Sequence, residues 1–184
     1  MSGSLIGIID FGSNSTRLLL TRRDNIFSPV KEQVTVTRLS EGAFLNRQLQ
    51  KAPMERTMSA ALEYLAECRD RKAAVYSFGT SILREAVNSA DFLALARLSG
   101  LEIEIISGND EARYNSLAVR ECFSSLDPFL ACDLGGGSAE LIYCNCGKSI
   151  LDSLPVGCVR YLRDWEEGRH EFIRDNVRNL YNAG

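Results

Sequence analysis

The chain has 184 residues, 45% of them hydrophobic, and a net charge of −3, which supports one large or two small domains with cores of their own. Its only basic runs, Arg22-Arg23 and Arg69 to Lys72, are short, so nucleic acid held by charge is excluded as a partner. There is no stretch of about 18 apolar residues to span a bilayer, and the opening run Leu5 to Ile9 lacks the basic start of a signal peptide; a cytoplasmic protein with no membrane partner is expected.

In chain order, three β-type runs come first: Leu5 to Ile9, Thr16 to Arg22 and Val30 to Leu39, rich in Ile, Leu, Val and Thr. Met54, Met58, Ala61, Leu62, Leu65 and Cys68 then recur at helical spacing behind Pro53. A strand over Ala73 to Phe78 follows, then helical patterns over Thr80 to Val87 and Asp91 to Leu98, stopped by Gly100. Leu101 to Ile106 reads as a strand and Asp110 to Cys122 as a helix. The order βββαβαβα implies a mixed sheet in an α/β domain, parallel across the helices and antiparallel across the hairpins.

At Phe129 the pattern restarts. Asp10 and Asp133 are 123 positions apart, and the same offset pairs Gly12 with Gly135, Ser15 with Ser138 and Leu18 with Leu141. Each copy is an apolar strand, an Asp, a Gly/Ser turn and a second apolar strand. A repeat on this scale predicts two similar domains facing each other, with one loop from each meeting in a cleft. The expected boundary gives a first domain over 1–125 and a partial second over 126–184. The latter has hairpins over 129–154 and a helical tail over 158–181, and lacks the later elements of the first copy. An uncovered antiparallel sheet invites association. The tail, with Tyr161, Leu162, Trp165, Phe172, Ile173, Val177 and Leu180 on one packing face, is expected to dock on the partial sheet or on a second copy, which would make a homodimer.

The turns carry the chemistry. A Gly/Ser turn between strands offers backbone N–H groups to an anion, and glycine leaves room for phosphate oxygens. Ser13, Ser15 and Ser138 add hydroxyls. Asp10 and Asp133, at strand ends, are hard oxygen ligands suited to Mg²⁺, which bridges carboxylates to phosphates. One such turn is explained equally well by hairpin chemistry; two at the same Asp-x-Gly-x-x-Ser spacing point to a ligand. Two commoner phosphate motifs are excluded. Gly147-Lys148-Ser149 resembles the end of a P-loop, but Ile142 stands where its first glycine is required. Gly135 and Gly137 begin a G-x-G, yet Glu140 occupies the third glycine position and a strand follows.

The six cysteines, Cys68, Cys122, Cys132, Cys144, Cys146 and Cys158, read as reduced thiols. Cys144 and Cys146 share a strand face, but a zinc site needs four ligands. The one histidine, His170, has no nucleophile motif near it and reads as a surface residue, which argues against triad-type catalysis.

Five strings resemble the exopolyphosphatase/guanosine pentaphosphate phosphohydrolase family: Ile8 to Ser15, Thr80 to Ala86, Ile106 to Arg113, Asp133 to Leu141 and Pro155 to Arg160. The resemblance runs from about Leu5 to Arg160. It implies a ribonuclease-H-like (actin-like) fold, followed here by the opening hairpins of a second, incomplete domain of the same type. It also implies hydrolysis of a terminal phosphate from inorganic polyphosphate or guanosine pentaphosphate, with Mg²⁺ in the interdomain cleft. By that resemblance Glu111 is the catalytic glutamate that activates water, and Arg84 binds phosphate with the N–H groups at Thr80-Ser81. The phosphate turns are Gly12, Ser13, Asn14, Ser15 and Gly135, Gly136, Gly137, Ser138, and Glu140 joins Asp10 and Asp133 near the metal. Without it, Asp110 and Glu111 are explained by helix N-terminal preference. Departures are Asp110 where a glutamate is usual, Thr16-Arg17 in place of an aromatic-His pair, and the missing second half. Competing classes are a non-catalytic phosphate- or nucleotide-binding module and an actin-like sugar or acetate kinase.

Overall fold

The computed structural model describes residues 4–145 and 147–183; Cys146, one of the two cysteines considered above as metal ligands, lies outside them. The chain divides into two compact units, one ending at Ile106 and the other beginning at Ser107.

The first unit contains β1 (Leu5–Phe11), β2 (Ser15–Arg22), β3 (Lys31–Val36), α1 (Ala43–Asn46), α2 (Lys51–Asp70), β4 (Ala74–Gly79), α3 (Ser81–Glu85), α4 (Ser89–Leu98) and β5 (Ile103–Ile105). Its sheet runs in the order β3-β2-β1-β4-β5. β1 pairs antiparallel with β2 and parallel with β4, so the sheet is mixed, as the hairpin-then-helix order requires. Alternation puts Gly7, Ile9 and Phe11 of β1 on the buried face, where they meet α2. The helix lies so close that a Cβ on Gly7 would come within 2.3 Å of the Cys68 Sγ. Ile9, Phe11, Leu18 and Leu20 form one core with Met58, Tyr64 and Leu65 of α2; full burial of each large side chain contributes about 1.5–3 kcal/mol. Phe11 meets Phe92 of α4 edge to face, with ring centroids 5.9 Å apart. Leu62, expected on the apolar face of α2, is exposed.

Two helical patterns end differently from their sequence expectation. The helix expected over Thr80 to Val87 has only the five residues of α3. Beyond it the chain is held to the α1–α2 connection: Val87 N–H donates to Arg47 C=O at 2.8 Å. The Asn88 amide spans both backbone groups of Leu49, at 2.8 and 3.1 Å. These long-range bonds replace the next helical turn.

The second unit contains α5 (Gly108–Cys122), β6 (Phe129–Leu134), β7 (Ala139–Asn145), β8 (Lys148–Leu154), α6 (Leu162–Glu166) and α7 (His170–Ala183). β6, β7 and β8 form an antiparallel meander. The expected boundary, between 125 and 126, differs from this division because α5 packs on β7 and β8. Its Ala112 and Ser116 are buried. The expected tail helix is broken in two by Gly168, at φ 72°, whose N–H closes α6 on Trp165 C=O. α7 packs against α6, with the His170 and Trp165 rings 4.2 Å apart and Arg169 paired to Asp164 and Glu167. His170 is exposed, as expected. Among the described residues no helix is long and apolar enough to cross a membrane.

α5 covers one face of the meander. The other carries the cross-strand row Leu130, Tyr143 and Ile150, exposed by 76%, 41% and 69%. Contiguous apolar surface of this kind drives association in water. Light scattering of the purified chain is expected to show concentration-dependent association, and the double substitution Leu130→Lys with Ile150→Lys is expected to shift it towards monomer. A monodisperse wild-type monomer at high concentration would contradict this.

Candidate active site

The first turn joins β1 to β2, with Asp10 opposite Arg17 and Phe11 opposite Thr16. It closes through Gly12 N–H to Ser15 C=O at 3.0 Å, and a Cβ on Gly12 would lie 3.0 Å from that same oxygen. The second turn joins β6 to β7 in the same register, with Asp133 opposite Glu140 and Leu134 opposite Ala139. Gly135 N–H reaches Ser138 C=O at 2.9 Å, and a Cβ there would lie 3.1 Å from it. The 123-position repeat in sequence is therefore a repeat of backbone geometry.

In each unit the segment after the third strand closes on the carbonyls of the turn. Thr37 and Arg38 N–H donate to Asn14 C=O at 3.1 and 2.9 Å, and Ser40 N–H donates to Ser13 C=O at 3.0 Å, joined by the Ser40 hydroxyl. In the second unit Cys158 N–H donates to Gly135 C=O at 3.1 Å, while Val159 and Arg160 N–H donate to Gly136 C=O at 2.9 and 3.0 Å. Arg160 Nε donates to Gly137 C=O at 2.8 Å. A trans peptide points its N–H opposite to its C=O. Tethering the carbonyls of Ser13, Gly135 and Gly136 thus turns the N–H groups of Asn14, Gly136 and Gly137 the other way. These three donate to no protein acceptor among the described residues. The Ser13 hydroxyl is buried and unpartnered, and an orphaned buried donor costs about 1–3 kcal/mol, an expense that a bound anion relieves. Both turns have the makings of anion nests.

Arg84 lies in α3, with Nη1 donating to Ile106 C=O at 2.9 Å. Thr80, before that helix, donates its N–H to Phe11 C=O at 3.4 Å, which ties the end of β4 to the strand leading into the first turn. Asp10, Gly12 to Ser15 and Arg84 all belong to the first unit.

Glu111, Asp133, Gly135 to Ser138 and Glu140 belong to the second. Ser107 caps α5 by accepting Asp110 N–H at 3.1 Å, and its hydroxyl donates back to the Asp110 carboxylate at 2.7 Å. Asp110 is thereby assigned to capping. One turn along, Asn115 Nδ2 donates to Asp133 Oδ2 at 2.8 Å, fixing α5 against the end of β6. Glu140 is 1% exposed and accepts from the Ser153 hydroxyl at 2.9 Å. Burial pushes its carboxyl above the usual range, and the charges of Glu111 and Asp133 add to the shift. The three carboxylates therefore share one electrostatic neighbourhood.

Among the described residues no three His, Cys, Asp or Glu side chains are grouped as a ready metal cage. Mg²⁺ does not require one, since it usually takes one or two carboxylates and completes its shell with water and phosphate. Asp133 beside a buried, mutually repelled Glu140 fits that donor set. Cys144, the described member of the cysteine pair, is a free thiol.

The string Pro155 to Arg160 has no role legible in the sequence. The structure makes it the clamp on the second turn. A Cβ on Gly157 would come within 2.3 Å of Gly136 O and 2.6 Å of Gly137 N, so only glycine lets the two backbones touch. Asn115 and Ser153, which orient Asp133 and Glu140, carried no signal in the sequence.

Residues 19–180 match the model of the Ppx/GppA phosphatase family, and the chain belongs to that family. It is 31% identical over 169 residues to exopolyphosphatase 1 of Mycobacterium tuberculosis, covering 87% of this chain and 48% of that protein. Among solved structures, the Ppx/GppA family member of Aquifex aeolicus is 30% identical with a TM-score of 0.73, covering 87% of this chain and 54% of the other. An exopolyphosphatase from Cytophaga hutchinsonii shares the fold at a TM-score of 0.81 and 24% identity, over 87% and 53% of the two chains. The chain spans about half the length of the curated relatives it matches.

Gly157→Ala is expected to destabilise the second unit by about 1–3 kcal/mol, the usual cost of overpacking where backbone cannot yield. Thermal unfolding with phosphate as a ligand checks it. An unchanged melting temperature would mean that the clamp is looser than described.

Proposed function

We propose that the chain takes part in hydrolytic release of terminal phosphate from inorganic polyphosphate or guanosine pentaphosphate. The observation that carries this reading is the pair of geometrically equivalent turns with outward N–H groups, in a member of the Ppx/GppA phosphatase family.

In this reading Gly12 to Ser15 and Gly135 to Ser138 cradle phosphate oxygens through backbone N–H groups and the Ser13 hydroxyl, and Arg84 supplies a fixed positive charge. Glu111, next to the capping Asp110, orients the attacking water and accepts its proton. Phosphoryl transfer depends mainly on positioning and charge stabilisation, so one carboxylate base suffices. Mg²⁺, held by Asp133 and Glu140 with Asp10 as the corresponding carboxylate of the first unit, would neutralise charge on the phosphates when bound. A second reading is phosphate binding without turnover, which the N–H groups of Asn14, Gly136 and Gly137 would also support. Phosphate release measured with each substrate, with and without Mg²⁺, separates the two.

Glu111→Gln keeps size and hydrogen bonding but removes the base. Hydrolysis is expected to fall by about 10²–10⁴-fold, with substrate affinity retained. Near wild-type turnover would rule out this role.

Replacing Asp10 or Asp133 by Ala is expected to weaken Mg²⁺-dependent phosphate binding, read by titration calorimetry. If both variants keep the wild-type metal dependence, the aspartates serve the turns alone.

A further inference from the structure

The carbonyls of Gly135, Gly136 and Gly137 are all tethered, and the third tether is unlike the other two. Backbone N–H groups of Cys158, Val159 and Arg160 hold Gly135 and Gly136. Gly137 C=O is held by a side chain, through Arg160 Nε at 2.8 Å. One residue thus fixes two successive peptides of the turn, one from its backbone and one from its guanidinium. The repeat marks this last carbonyl as a place that has to be held. The 123-position offset pairs Asn14 with Gly137 and Thr37 with Arg160. In the first unit Thr37 N–H holds Asn14 C=O at 3.1 Å. In the second, Arg160 N–H turns to Gly136 C=O at 3.0 Å instead, and its side chain takes over the neighbouring carbonyl. A trans peptide points the N–H of the following residue opposite to a tethered C=O. Holding Gly137 C=O therefore directs the N–H of Ser138, which donates to no protein acceptor among the described residues. The Ser138 hydroxyl bonds the Glu140 carboxylate, so the N–H is what Ser138 has left for a ligand.

We propose that Arg160 is a positioning residue of the second phosphate cradle: by holding Gly137 C=O it makes Ser138 N–H a third successive donor, after those of Gly136 and Gly137. Successive backbone N–H groups form an anion-binding concavity, and donors fixed in advance reduce the ordering cost of binding. Arg160 acts through the peptide between Gly137 and Ser138 and not by touching the phosphate. A lysine at this position would keep the charge without the Nε–H donor, because its ammonium is a point charge on a flexible stem. The role rests on the reading of this turn as a phosphate site given above.

The test is titration of the chain with inorganic tripolyphosphate, followed by calorimetry and by the backbone amide resonances in NMR. In the wild-type chain the Gly136, Gly137 and Ser138 amides are expected to shift together. Arg160→Lys is expected to bind about tenfold more weakly, the size of one lost hydrogen bond to a charged group. Its Ser138 amide is expected to lose the response while Gly136, oriented through the untouched Cys158 N–H, keeps it. Wild-type affinity in Arg160→Lys overturns the role, because charge alone then suffices. Equal loss of response at all three amides marks a merely structural residue and overturns it as well. If the variant fails to fold, the wild-type titration still decides, since a silent Ser138 beside shifting Gly136 and Gly137 overturns the role alone. A wild-type chain that binds no tripolyphosphate overturns the phosphate reading itself, and this role with it.

Discussion

The backbone carbonyls of the two Gly/Ser turns are held by N–H groups from the segment that follows the third strand of each unit, Thr37 to Ser40 in one and Cys158 to Arg160 in the other. A hairpin turn left to itself can rotate its central peptides freely. Here the planar peptide couples each tethered C=O to an N–H on the opposite side, so the direction of the donors is set before any ligand arrives. Preorganised donors need no rearrangement on binding, which is where much of their electrostatic value lies. The three-stranded meander is the smallest unit that delivers this, because two strands make the turn and the third brings back the chain that clamps it.

Around the second turn that constraint brings carboxylates together. Asn115 positions Asp133, Ser153 positions Glu140, and the capped first turn of α5 presents Glu111 nearby. Like charges so arranged raise one another's affinity for a proton or a cation. Burying Glu140 beside two other carboxylates costs free energy, and carboxylates perturbed in this way cluster at functional sites.

Much of this was legible in the sequence because it depends on short-range rules. Asp-x-Gly-x-x-Ser at two places gave both turns, and apolar runs rich in Ile, Leu, Val and Thr gave the strands, though β5 shrank to three residues. What stayed hidden depends on partners far apart in the chain. The shortening of α3 follows from Asn88 reaching back to Leu49, a contact with no local signature. The packing of α5 on β7 and β8 follows from Ser116 and Ala112 finding a buried face there. The clamp role of Gly157 could be seen only once Gly136 lay against it, since a glycine in isolation says that space or conformation matters but not which.

The repeat is one of backbone, not of charge, and the difference sets the electrostatics of the two turns apart. Opposite Asp10 stands Arg17, exposed, with Nε 3.4 Å from the Ser15 hydroxyl. Opposite Asp133, at the equivalent register position, stands Glu140, buried and shifted up. A guanidinium beside the first turn lowers the cost of bringing an anion to its N–H groups. A second carboxylate beside the other turn raises that cost unless a cation or a proton comes with the anion. The same fold of the chain therefore gives the two turns opposite electrostatic surroundings. The two turns therefore share a backbone but differ in what stands beside them, a guanidinium at the first and a buried carboxylate at the second.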